Sequence, residues 1–256
     1  MHEAVVETGS AEPLSLSTRL LGSATVLLGY SLYFPINHLL MGREVHQLDS
    51  AIDHALPLSP AWMLAYGGIY FVGFFPLVTL KERESFFRAL RACFLIELVS
   101  MSTFLLFPVR MGLRAVLPTE GELGLFEWLL QLCYFLDEPN CCFPSLHVSI
   151  SCLAAFIVCS FHRRAGALFL FFATAISLST LFVKQHYLAD VLFGASLAGA
   201  AWWGALKHAP LSKAQRAAAL PKPRRAIVWM GALYLFTLAL AAVLWAHGFE
   251  PWRGGG

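Results

Sequence analysis

Long runs of apolar residues are the feature that most limits what this chain can fold into. Crossing the roughly 30 Å hydrocarbon core of a bilayer takes about 20 consecutive apolar residues in a helix. Runs of that order occupy Leu20–Met41, Pro60–Leu80, Ala89–Val109, Ala165–Val183, Leu188–Leu206 and Ala226–Ala246, and a shorter one covers Leu146–Phe161. Only 13% of the residues are charged, about half the share usual in soluble domains, so the runs have few polar neighbours that could turn them towards water. In lipid every backbone N–H and C=O must be paired within the protein, and for single runs of this length the helix achieves that. The sequence therefore predicts an all-α, polytopic membrane helical bundle. Six spans over residues 20–206 would form the core, and residues 226–256 would add a seventh, accessory span.

Charge sets the expected orientation. With seven spans, Arg19, Lys81, Arg83, Arg88, Arg91, Arg163, Arg164, Lys207, Lys213, Arg216, Lys222, Arg224 and Arg225 share one side. Only Arg43, Arg110, Arg114, Lys184 and Arg253 fall on the other. The positive-inside rule makes the first side cytoplasmic. The acids Glu120, Glu122, Glu127, Asp137 and Glu138 fall on the outer side. Residues 1–19 read as a disordered cytoplasmic tail, lacking the basic start of a cleaved signal peptide. Residues 207–225, with prolines and cations, read as a cytoplasmic linker. The outer loop before Leu146 contains an amphipathic stretch, Leu123–Phe135, expected to lie on or dip into the membrane surface with Trp128 and Tyr134 as anchors. The compact length and short loops incline the reading to a bacterial inner membrane with the outer side in the periplasm, or in a lumen if the chain is eukaryotic.

A net charge of +2 gives no reason to invoke nucleic acid. Of the six cysteines, Cys93, Cys152 and Cys159 fall in apolar runs and read as small hydrophobes. Cys133, Cys141 and Cys142 precede the fourth run without metal-ligand spacing, so no metal and no cofactor is expected, and a bridge from Cys133 to one of the pair stays open. Glu97 is an acid within the third run and is expected to bond a neighbouring helix.

Two polar islands at the mouths of neighbouring apolar runs carry the chemistry. Asp190 follows His186 by four residues, which on a helix would place both on one face. A carboxylate there can fix the imidazole tautomer and aim its other nitrogen. The second island is Phe143-Pro144-Ser145-Leu146-His147. Pro144 suits a helix start, Ser145 can cap it or bind an anion, and the free N–H groups of a first turn attract anions. Arg110, Arg114 and Lys184 are the cations on that side that could hold an oxyanion. Ionisable groups gathered at span ends point to chemistry at a membrane surface. The set offers a nucleophile, its orienting carboxylate, an acid and a cationic cradle, which fits phosphoryl transfer through a phosphohistidine.

At these residues the chain resembles the type-2 phosphatidic acid phosphatase superfamily. Pro144-Ser145-Leu146-His147 matches that family's second motif. The stretch from Ser179 to Asp190 matches the serine, histidine and aspartate of its third, with Thr180 in the place of the motif's arginine. Of the first motif only Arg114 has a counterpart, with Phe107 at the lysine position and Ala115 at the proline position. The stretch Lys81 to Arg88 has the same internal spacing but is expected a membrane thickness away from His186. Pro-Ser-Leu-His together with Lys-Gln-His-Tyr is similar to inositol phosphorylceramide synthases and related sphingolipid head-group transferases.

The resemblance implies a six-helix phosphatase-type core and a metal-independent enzyme acting on a lipid phosphate. His186 would attack phosphorus, Asp190 would orient it, and His147 would protonate the leaving oxygen and then activate the acceptor. Ser145, Lys184, Arg114 and Arg110 would hold the phosphate oxygens, with Lys184 partly replacing the missing arginine. The acceptor is left as water, an alcohol head group or ceramide, and the oligomeric state is left unassigned. Two other classes stay in view. One is a transporter or channel using the histidines and Asp190 as a proton or ion path. The other is an inactive scaffold, for which Thr180 is the best support.

Overall fold

In the computed structural model, residues 13–115, 117, 123–207, 213–221 and 223–253 are described. Residues 1–12 of the expected tail, Glu120, Glu122, Lys222 and residues 208–212 of the expected linker lie outside them. The chain is all-helical among the described residues. Its helices are α1 (Leu16–Ser31), α2 (Tyr33–Leu39), α3 (Ala51–Ala55), α4 (Met63–Tyr66), α5 (Ile69–Thr79) and α6 (Arg83–Leu106). They continue with α7 (Leu125–Leu136), α8 (Leu146–Phe161), α9 (Arg163–Phe182), α10 (Leu188–Trp202), α11 (Lys213–Ala219) and α12 (Pro223–Ala246).

Among the described residues, five helical stretches are long and apolar enough to cross a membrane: Pro60–Thr79, Arg83–Leu106, Arg163–Phe182, Leu188–Lys207 and Ala217–Ala246. The other two expected spans come out shorter. The first is broken at Leu32, where α1 gives way to α2. The fourth is α8, whose 16 residues extend about 24 Å at 1.5 Å per residue, so its ends lie close to polar surroundings.

Helix starts follow local chemistry. The Ser15 hydroxyl accepts from the Thr18 N–H at 3.1 Å, and the Glu82 carboxylate accepts from the N–H groups of Glu84 and Ser85. His162 alone separates α8 from α9 and serves both: its N–H bonds the Val158 carbonyl, and its Nδ1 accepts from the Ala165 N–H at 3.1 Å. The two helices then cross tightly, because a side chain at Gly166 would stand 2.5 Å from the Cys159 backbone. Small residues at such crossings let helices approach where lipid supplies no hydrophobic drive. Ala154, Ala155 and Ala173 pack beside the Phe75 and Phe169 rings, whose centroids are 4.6 Å apart. A second core sets Phe86, Ala89, Ala92 and Ile96 of α6 against Leu153, Ile157, Ala198 and Ala201.

Gly194 links packing to the site. A Cβ there would lie 2.7 Å from the Ser145 carbonyl oxygen, so only glycine lets the second turn of α10 come this close to the start of α8. Nearby, three distant loop segments are knitted together. The His46 N–H bonds the Pro108 carbonyl, the Arg110 N–H bonds the His46 carbonyl, and the Cys142 N–H bonds the Val109 carbonyl at 3.1 Å. Asn37 adds a tie from α2, donating to the Glu138 carbonyl and accepting from the Asn140 N–H.

Several expectations change in detail. The amphipathic stretch is helical as α7, but Trp128 is buried and donates to the Phe249 carbonyl, so it anchors the C-terminal segment and not the interface. Tyr134 donates to the Val183 carbonyl at 2.7 Å. All six cysteines are free, which closes the open disulfide reading. Glu97 is buried against Gly29, where a side chain would meet its carboxylate at 2.2 Å. Its Oε1 has no hydrogen-bond partner among the described residues, so the expected interhelical bond is replaced by close packing.

Candidate active site

His186 lies in the turn between α9 and α10, not on the helix, so its relation to Asp190 is not a one-face helical pairing. Asp190 occupies the first turn of α10, and its Oδ2 accepts from the Tyr187 N–H at 2.8 Å, closing the helix start. The same oxygen lies 3.3 Å from His186 Nδ1, which is also 2.9 Å from the Cys142 carbonyl oxygen. A carbonyl can only accept, so Nδ1 carries the proton and the lone pair belongs to Nε2. Asp190 Oδ1 is buried without a hydrogen-bond partner among the described residues.

His147 sits in the first turn of α8. Its ring centroid is 5.6 Å from that of His186, with the planes inclined by 60°. The other side of the His147 environment is Tyr66, stacked on it at 4.5 Å. Both imidazoles line a cavity of about 440 Å³, within the usual range for small-molecule sites. Its walls are mostly apolar or aromatic, and Leu27, Phe34, Tyr70 and Leu136 both line it and are exposed, so it opens sideways where lipid would lie.

The expected oxyanion donors are spread around this cavity, not gathered in it. Ser145 is fully buried, and its hydroxyl caps α8 by accepting from the Val148 N–H at 3.4 Å. Arg114 donates to the Asp137 carbonyl and to Gln185 Oε1, and its guanidinium stands 4.8 Å from the Tyr134 ring centre. Its Nε is buried with no partner among the described residues, so one donor is uncommitted. Arg110 is exposed, and its backbone carbonyl accepts from the Tyr187 hydroxyl at 3.0 Å.

Lys184 is turned away. Its ammonium donates to the carbonyls of Asp53 (2.8 Å) and Leu56 (2.7 Å), and its backbone adopts φ +52. Asp53 completes a latch around the His186 turn. Its Oδ2 accepts from the N–H and hydroxyl of Ser50, and its Oδ1 from the Leu188 N–H at 2.8 Å. Thus α3 grips the chain on both sides of His186. Thr180 spends its hydroxyl on the Ser177 carbonyl, while its own carbonyl accepts from the N–H groups of Gln185 and His186. Lys184→Met keeps the aliphatic stem and deletes two charge-assisted bonds. It is expected to lower kcat about tenfold with KM little changed, because misplacement of a reacting group by an ångström can cost up to about a hundredfold. A phosphate-binding lysine would instead raise KM, so steady-state kinetics separate the two roles.

Two residues of the cavity wall had little signal in the sequence. Tyr66 belongs to an apolar run, and its contact with His147 depends on how α4 packs. Asp137 read only as an outer-side acid, yet it lines the cavity. The Tyr33 hydroxyl (2.6 Å) and Asn37 Nδ2 (3.2 Å) donate to its Oδ1, and Arg114 is 3.9 Å from its Oδ2. Burial raises the Asp137 carboxyl above its ordinary range, and the Tyr33 bond and the Arg114 charge oppose that rise.

Cys142, His186 and Asp190 present ligand atoms within 4.8 Å of one another. With the proton on Nδ1 that nitrogen has no lone pair to offer, so metal binding there would require the opposite tautomer and loss of the Cys142 carbonyl bond.

Residues 110–214 match the family model described as the PAP2 superfamily, a stretch that includes His147, His186 and Asp190. No curated protein and no solved structure matches the chain.

Proposed function

We propose that the chain is an integral membrane enzyme that transfers the phosphoryl group of a lipid phosphate through a phosphohistidine on His186. The observation that carries this reading is the pair of imidazoles 5.6 Å apart at a cavity open towards lipid. One ring has its tautomer fixed by a carbonyl and a carboxylate. The match of residues 110–214 supports the same class of chemistry.

In the first step the Nε2 lone pair of His186 attacks phosphorus and the P–O bond to the leaving group breaks. Protonated His147 gives its proton to that oxygen. In the second step His147 takes the proton of the acceptor hydroxyl, the acceptor oxygen attacks phosphorus, and the P–N bond breaks. Asp190 holds the Nδ1 proton and faces the positive ring of the intermediate. Arg114 reaches the residue next to His186 through its bond to Gln185, and Arg110 is exposed. Ser145 acts through the start of α8, which it caps. No step draws on a metal or cofactor.

The cation asymmetry supports a site on the non-cytoplasmic face, the periplasm if the membrane is a bacterial inner one. The six-span core over residues 20–206 would hold the whole site, with residues 226–256 as an accessory span. The product defines the acceptor: water makes a lipid phosphatase, and an alcohol or ceramide makes a head-group transferase. Rapid acid-free quenching of full-length protein with phosphorus-labelled lipid is expected to trap a base-stable, acid-labile adduct, and turnover is expected to persist in EDTA. Turnover without any such adduct would remove the covalent mechanism. Product dependence on an added alcohol separates transferase from phosphatase.

A further inference from the structure

We infer that the cavity beside the imidazoles is built for the ammonium group of a zwitterionic phosphodiester lipid, with Asp137 as its counter-ion. This rests on the phosphoryl-transfer reading above and narrows its substrate. Among the described residues that line the cavity with His147 and His186, Asp137 is the only acid, and no lysine or arginine is present. Asp137 Oδ1 is fixed by Tyr33 and Asn37, while Oδ2 has Arg114 no nearer than 3.9 Å. Arg114 directs its donors to a backbone carbonyl and to Gln185. Tyr33, Tyr66 and Tyr70 contribute aromatic wall to the same cavity, and ammonium groups are drawn to ring faces as well as to carboxylates.

The surrounding charge agrees. Arg114 and Lys184 stand against Asp53, Asp137 and Asp190, and Lys184 is spent on the carbonyls of α3. A phosphomonoester would bring about −1.5 to −2 charges into a cavity whose described lining holds one carboxylate and no lysine or arginine. A zwitterionic diester brings one negative charge at phosphorus and returns one positive charge to Asp137. With such a donor, P–Nε2 forms and the P–O bond to the lipid glycerol breaks. His147 supplies the proton to that oxygen; it then takes the proton of the acceptor hydroxyl, whose oxygen bonds phosphorus as the P–Nε2 bond breaks, and the amino-alcohol stays on phosphorus throughout. Diacylglycerol is the first product.

The test measures diacylglycerol release by detergent-solubilised full-length protein, with and without added glycerol and ceramide as acceptors, from four dioleoyl lipids: phosphatidylcholine, phosphatidylethanolamine, phosphatidylglycerol and phosphatidate. One or both ammonium lipids are expected to exceed the other two by about tenfold or more in kcat/KM, a factor that one well-placed charge can supply. Asp137→Asn keeps an oxygen to accept from Tyr33 and Asn37 and removes the charge. It is expected to erase that advantage, bringing kcat/KM for the ammonium lipids down to the value for phosphatidylglycerol measured with the same variant. Equal losses on all four lipids would make Asp137 structural and overturn the subsite. Phosphatidate or phosphatidylglycerol as the best substrate, with turnover lost in His186→Ala, would overturn the inference and leave phosphoryl transfer standing. Release that survives His186→Ala, or no release from any lipid, would overturn both.

Discussion

Replacing His186 by alanine is expected to lower turnover on the order of 10⁴-fold or more, since the group that forms the covalent bond is gone. The protein should remain folded. The lost contacts are the Nδ1 bonds to the Cys142 carbonyl and Asp190, a cost of about 1–3 kcal/mol for buried acceptors left unpaired. His147→Ala should differ in kind. It removes proton transfer, worth about 10²–10⁴-fold, and leaves the nucleophile in place. A substrate with a nitrophenol leaving group needs no proton, so it should recover adduct formation in His147→Ala and recover nothing in His186→Ala. Rate measurements with the two leaving groups check both halves. Equal recovery, or equal failure, would deny the division of roles between the two rings. Retained activity in both variants would return the pair to a structural function.

The helical bundle was legible because its cause is local. Apolar runs of span length report burial in lipid directly, and α8 falls on Leu146–Phe161 as its apolar run predicts. The histidines and Asp190 were legible because they interrupt those runs, and a polar group at a span mouth needs a reason. What could not be read was the direction of each long side chain. Lys184 lies two residues from His186, but its ammonium goes to the carbonyls of Asp53 and Leu56. Spacing along the chain carries no information about a partner more than a hundred residues away. Asp53 was invisible for the same reason: its Leu188 contact spans 135 positions. Trp128 had the composition of an interfacial anchor, and only the return of the C-terminal segment buries it. Asp137 shows the limit most clearly. Its meaning comes from Tyr33, Asn37 and the cavity wall, which are assembled from three separate parts of the chain.

Asp190→Asn is the second large expected effect, a fall in kcat of about 10²–10³-fold, smaller than for His186→Ala. The substitution keeps size at a fully buried position. The amide oxygen can replace Oδ2 and accept from the Tyr187 N–H, so the start of α10 survives. The change lies in charge. When Nε2 binds phosphorus while Nδ1 keeps its proton, the ring becomes positive, and only a carboxylate beside Nδ1 offsets that charge inside a poorly solvated site. The amide also places an N–H₂ where Oδ1 now lies buried without a partner among the described residues, which costs a further 1–3 kcal/mol, roughly, of stability. Reduced adduct formation in single-turnover quenching, with substrate affinity near that of the parent, would locate the loss in the charge-building step. If Asp190 served only to cap α10, the asparagine would do nearly as well, and kcat would stay within a few-fold of the parent. The two roles are thus separated by one substitution, because the cap needs an acceptor oxygen and the phosphohistidine needs a negative charge.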